Sequence, residues 1–143
     1  MPLLLDPTND YVFKYIFAEA PELLRALIND VRPDLPAITA LEILNPQIDP
    51  TELAGKYIVL DVLAEDQDGH KYNVEIQVRR YDTWPQQGLF YLARTLSQQL
   101  LSGEQYDRLC DVVGIHLLAD VTQRSLHGLQ RIKCGSDRLE IQF

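Results

Sequence analysis

At 143 residues the chain suits one domain, long enough to bury a core. Hydrophobic residues make up 46% and charged residues 24%, the balance of a soluble globular protein, and no apolar run approaches the ~20 residues that span a bilayer. A net charge of −8 argues against strong general affinity for nucleic acid.

The opening MPLLLDPTND has three leucines and no basic stretch, so no secretory signal and a cytoplasmic location are expected. Thr8, Asn9 and Asp10 are all good N-caps for a first helix, in which Val12, Phe13, Ile16 and Phe17 repeat at helical spacing. Pro21 suits the first turn of a second helix, PELLRALIND. That helix is expected to bury Leu23, Leu24, Leu27 and Ile28 before Pro33 and Pro36 end it. AITALEIL, 37–44, reads as a strand, followed by a loop containing Pro46, Pro50 and Gly55. KYIVLDVLA, 56–64, is apolar on both faces, as in strands at the centre of a sheet. Asp61 sits in its middle, where a carboxylate is costly unless it is paired or bound to a cation.

After the turn EDQDGH, KYNVEIQV alternates strictly, with Tyr72, Val74, Ile76 and Val78 on one face. Lys71, Asn73, Glu75 and Gln77 share the other. Asp82 or Thr83 then caps a helix with Leu89, Leu92, Leu96 and Leu100 as its core stripe and Gly103 as its C-terminal cap. CDVVGIHLL, 110–118, is a further strand. Beyond residue 119 the signals weaken, and the final LEIQF resembles an edge strand. The order helix, strand, strand, strand, helix, strand predicts an α/β domain with a mixed central sheet flanked by helices.

The turn at 66–70 decides whether Asp61 and Glu75 can meet. A three-residue loop Gln67-Asp68-Gly69 gives facing residues an index sum of 136, with Gly69 in the left-handed position. Asp61 then faces Glu75 at a Cβ separation of ~5 Å. A two-residue Asp68-Gly69 loop gives 137 and places them on opposite faces. Two carboxylates so close, with no obvious Lys or Arg neighbour on that face, share a proton or bind a cation. Oxygen ligands of this kind suit Mg²⁺ or Mn²⁺, which activates water and stabilises developing phosphate charge.

Asp61, with Glu75-Ile76-Gln77 beginning fourteen residues on, resembles the PD-(D/E)XK nuclease motif. The blocks DYVFKYIF at 10–17, VLDVLAEDQDGHKYNVEIQV at 59–78 and FYLARTLSQQLLSGEQYDRL at 90–109 resemble the recombination-promoting nuclease and transposase family of that superfamily. The resemblance implies a restriction-endonuclease-like αβββαβ core, with residues 1–143 forming a single nuclease-like domain, shortened at its C-terminus relative to the family. It implies a divalent-metal-dependent DNA endonuclease, with Mg²⁺ or Mn²⁺ held by Asp61, Glu75 and the carbonyl of Ile76. Gln77, where the superfamily usually has Lys, would orient the attacking water. Asp10 and Lys14 also match family positions. One departure is Gln87-Gly88, where an Arg is expected before LFYLAR.

Plainer readings stand beside this. EIQ recurs at 140–142, so the tripeptide is cheap, and Glu75 and Gln77 taken alone suit a solvated strand face. Lys14 suits a helix surface, Arg79 and Arg80 a solvated strand end, and Gln99 the edge of the leucine stripe. Tyr91 and Tyr106 suit packing, and His116 a structural place in its strand. Cys110 and Cys134 read as free thiols in a reducing compartment. Residues 121–138 carry +3, leaving −11 for the rest of the chain. The expected function is a DNA endonuclease; the alternative is a catalytically inactive nuclease-fold module that associates with DNA or protein. A homodimer through the helical faces fits both, and no membrane association is expected.

Overall fold

Asn9 caps helix α1 (Asp10–Glu19), its Oδ1 accepting from the amides of Tyr11 at 3.0 Å and Val12 at 3.2 Å. The computed structural model describes Asp6 and residues 9–45, 62–77, 84–118, 126–134 and 139–142. Ala20 separates α1 from α2 (Pro21–Val31), and Pro21 takes the first-turn position, where no amide is needed. Leu24 and Ile28, one turn apart, are fully buried, and each contributes about 1.5–3 kcal/mol by leaving water. Leu23 was expected beside them but is 51% exposed, because it points off the 24/28 stripe.

β1 (Leu41–Ile43) is shorter than the 37–44 strand read from the sequence. The preceding residues are held by side chains instead of a ladder. Asn29 exchanges two hydrogen bonds with the backbone of Ile38, at 2.8 and 3.1 Å. Gln67 Oε1 accepts from the amides of Thr39 and Ala40.

β2 (Val62–Asp66) and β3 (Lys71–Gln77) form the expected hairpin. Their pairs run from Val62↔Val74 to Glu65↔Lys71, all with the index sum 136. The loop is Gln67-Asp68-Gly69, with Gly69 at φ +85° and its amide donating to the Asp66 carbonyl. Helix α3 (Trp84–Ser97) then carries the chain across the sheet to β4 (Val112–Leu118), which lies parallel to β3, as such a crossover requires. α3 ends at Ser97, well before Gly103, and the Gln99 amide closes its last turn on the Leu96 carbonyl. Gly103 serves a later turn at φ +90° instead.

β5 (Leu126–Cys134) and β6 (Leu139–Gln142) complete a mixed six-stranded sheet in the order β1 to β6. β3 and β4 pair in parallel and the other neighbours are antiparallel. β5 was not read from the sequence; β6, the second EIQ copy, lies at the sheet edge as expected. The even-numbered residues of β2 and β3 and the odd-numbered residues of β4 pack with Phe13, Leu24 and Ile28 under α1 and α2. The other face carries Val112 of β4 and Ile132 of β5 against Leu89, Leu92 and Leu96 of α3. The architecture is the α/β one expected: helices on both faces of a mixed sheet.

Candidate active site

Strand alternation points Asn73 and Glu75 of β3 toward α3, away from the Tyr72 and Val74 core. This face is covered rather than solvated. Glu75 is 4% exposed and Asn73 6%, so the plainer reading of a solvated strand face does not hold for Glu75. The reason is the parallel β4, which puts β3 inside the sheet, together with the helix that the crossover lays over this face.

The parallel register sets Glu75 beside His116 of β4, and His116 Nδ1 and Glu75 Oε1 are hydrogen-bonded. His116 Nε2 lies 3.1 Å from Gln130 Oε1, and Gln130 Nε2 donates to the Pro85 carbonyl at 3.1 Å. That carbonyl can only accept, so Gln130 must present its oxygen to His116, and Nε2 of the ring must carry a hydrogen. A neutral ring then accepts at Nδ1 from a protonated Glu75; a charged ring donates to a carboxylate. Both forms place one proton between Nδ1 and Oε1. His116 was read as structural, yet it is the partner of the candidate catalytic acid. No sequence signal pairs residues 41 positions apart across a parallel ladder.

Gly88 of α3 explains its own place in the sequence. A Cβ there would overlap Gln130 Oε1 and come within 2.9 Å of His116. The helix can lie against this relay only because the residue has no side chain. The Gln87-Gly88 departure from the expected Arg is therefore a packing requirement of this chain.

Asp61 and the Gln77 side chain, the other proposed site groups, lie outside the described residues, as do Arg79 and Arg80. The backbone of Gln77 pairs with Leu118 at the end of β3. The Ile76 side chain packs toward α1 and α2, as the alternation requires. Lys14, expected on a helix surface, is buried at 4% exposure. Gln99 holds the backbone of Cys110 at both its amide and its carbonyl, at 2.9 and 3.0 Å, which is an architectural role. Tyr106, expected to pack, is 82% exposed. Cys110 and Cys134 are free thiols, as expected.

The chemistry of the donor set can be compared with a hard cation. The α3 face offers the Glu75 carboxyl and the buried Oδ1 of Asn73, which has no hydrogen-bond partner among the described residues. Oxygen donors of this kind fit Mg²⁺ or Mn²⁺. Among the described residues, Asp66, Asp68 and His70 also bring ligand atoms within 4.8 Å of one another. They sit at the hairpin turn, and Asp66 is already engaged. Its Oδ1 accepts from the amides of Asp68 and His70, and its Oδ2 from the Tyr72 hydroxyl at 2.9 Å. Burial would raise the Asp66 carboxyl, but these donors and His70 outweigh it and hold it below its ordinary value. Burial and the Asp66 acceptor push the Tyr72 hydroxyl well above its own.

The family model for PD-(D/E)XK nuclease family transposases matches residues 7–133. No curated protein and no solved structure matches the chain.

Proposed function

We propose that this chain, which belongs to the PD-(D/E)XK nuclease family of transposases, is a divalent-metal-dependent DNA endonuclease. The observation that carries the reading is the buried Glu75 on β3 of the β2–β3 hairpin, whose described pairs all sum to 136. Continued by one step, that register would pair Glu75 with Asp61, which lies outside the described residues. Asp61, Glu75 and the Ile76 carbonyl would hold Mg²⁺ or Mn²⁺. When bound, such a cation supplies an activated water and charge stabilisation at the phosphodiester.

The chain's own residues do the rest. Glu75 and His116 hold a proton at a fixed place between Oε1 and Nδ1, so Glu75 can present a carboxylate while His116 carries the proton. Gln130 keeps the ring in orientation. Gln77, without a charge to contribute, orients the water by hydrogen bonding. Lys14 is buried, and Arg131 and Lys133 line the opposite face, so phosphate contacts would fall to Arg79, Arg80, Arg124 or Arg138, all outside the described residues.

Supercoiled plasmid tests this. The parent protein should nick or linearise it with Mg²⁺ or Mn²⁺ and stop with EDTA, and Glu75→Gln should be inactive. A parent that leaves plasmid intact with both metals removes the endonuclease reading in favour of a non-catalytic nuclease-fold module.

A further inference from the structure

The other face of the sheet, near the hairpin turn, encloses a pocket of about 170 Å³. Tyr72, Val113 and Arg131 stand side by side on β3, β4 and β5 as its floor, and Arg32, just past α2, forms part of its wall. Arg131 is 4% exposed and Arg32 7%, and the Nε of each is buried without a hydrogen-bond partner among the described residues. Arg32 is held in place by a 2.6 Å bond from Nη2 to the Pro36 carbonyl and by the Tyr72 ring, 5.6 Å from its guanidinium carbon.

Among the described residues, none of the three lining acids, Asp66, Asp68 and Asp111, bonds to these guanidinium groups, and Asp68 Oδ2 accepts from Gln67 Nε2 at 3.1 Å. Asp66 accepts from its own turn and from Tyr72, and Asp111 Oδ1 accepts from the Cys134 amide at 2.7 Å. What remains in the pocket is donor capacity on planar guanidinium groups, whose forked geometry matches an oxyanion. Drug-sized ligands fill ~300–1,000 Å³, so the occupant is a small ion or the terminal group of a larger molecule.

We propose that this pocket binds a phosphate-type oxyanion, held by Arg32 and Arg131 with the half-buried Lys133 beside them. It is separate from the Glu75 site, because Tyr72 and Glu75 face opposite sides of β3, and it does not rest on the endonuclease reading.

Thermal melts of the full chain test it, with sodium phosphate compared against sodium chloride at equal ionic strength. Phosphate at ten times its Kd should raise the Tm by about 4 °C. Arg131→Gln should abolish the rise, Lys133→Gln should weaken it, and Glu75→Gln should keep it. A trinucleotide with and without a 5′-phosphate identifies the source. A response to free phosphate, or to the phosphorylated trinucleotide alone, supports the proposal if Arg131→Gln removes it. If Arg131→Gln does not fold, an unchanged response in Lys133→Gln overturns the proposal. So does no response, a response kept in Arg131→Gln, or a rise given only by Mn²⁺ and lost in Asp68→Asn. That last result would assign the pocket to a cation on Asp66, Asp68 and His70.

Discussion

His116 Nδ1 and Glu75 Oε1 are hydrogen-bonded across two parallel strands, on a face covered by α3. A carboxyl at the centre of a sheet needs compensation. Here part of it comes from a residue on the far side of a helical crossover. The same contact ties a structural requirement to the chemistry proposed for Glu75.

Removing the imidazole therefore has a stability cost as well as a catalytic one. His116→Ala takes the proton-sharing partner from a buried acid, and urea unfolding at pH 7 should show a loss of about 3–5 kcal/mol. Adding Glu75→Gln should recover part of it, with a coupling of more than about 1 kcal/mol. Additive effects would mean that the two side chains are energetically independent.

Gly88→Ala puts a methyl group where Gln130 Oε1 and the His116 ring already stand. The helix or the relay must move, at a cost of about 1–3 kcal/mol. Nicking activity should fall with it, since His116 loses its fixed orientation. Gln130→Ala in the same background should relieve part of the stability loss in denaturant titrations, because the closest clashing atom is gone. A Gly88→Ala protein with parental stability and activity would show that the close approach is not required.

Asp66 makes the hairpin turn sensitive to acid. Its carboxyl is held below the ordinary value of 3.8, so its contribution is present above about pH 4 and is lost as pH falls through the lowered value. Asp66→Asn should cost about 1–3 kcal/mol at pH 7, through the amides and hydroxyl left poorly matched. The parent should lose stability more steeply than the variant below pH 4. Parallel acid limbs in guanidinium titrations from pH 2 to 5 would show that the carboxylate is not what these donors stabilise.

Asp61→Asn separates ligand from architecture. A neutral amide is a poor ligand for a hard cation, so metal-dependent cleavage should disappear. Without metal the fold should be intact or slightly more stable, because a charge near Glu75 is removed. Melts in EDTA and in Mg²⁺ check both points. A variant that melts well below the parent in EDTA, with no Mg²⁺ effect on either protein, would make Asp61 architectural.

The sequence by itself determined what depends on short range. Asn9 could be read as a cap, Pro21 as a helix start, and Gly69 as the left-handed residue of a three-residue loop. That loop set the β2–β3 register, because a hairpin's pairing follows from its turn. The resemblance carried by residues 10–17, 59–78 and 90–109 pointed to the family that the family match supports. Tertiary structure decided the rest. Whether Glu75 faced water or protein depended on what lay across it, and alternation cannot tell a solvated polar face from a covered one. Its pairing with His116, the need for glycine at 88 and the burial of Lys14 all arise from contacts distant in sequence. A parallel ladder joins strands through a crossover whose length leaves the register open. The β3–β4 register brought His116 to the Glu75 carboxyl, and the packing of α3 on β4 and β5 brought Gly88 against His116 and Gln130.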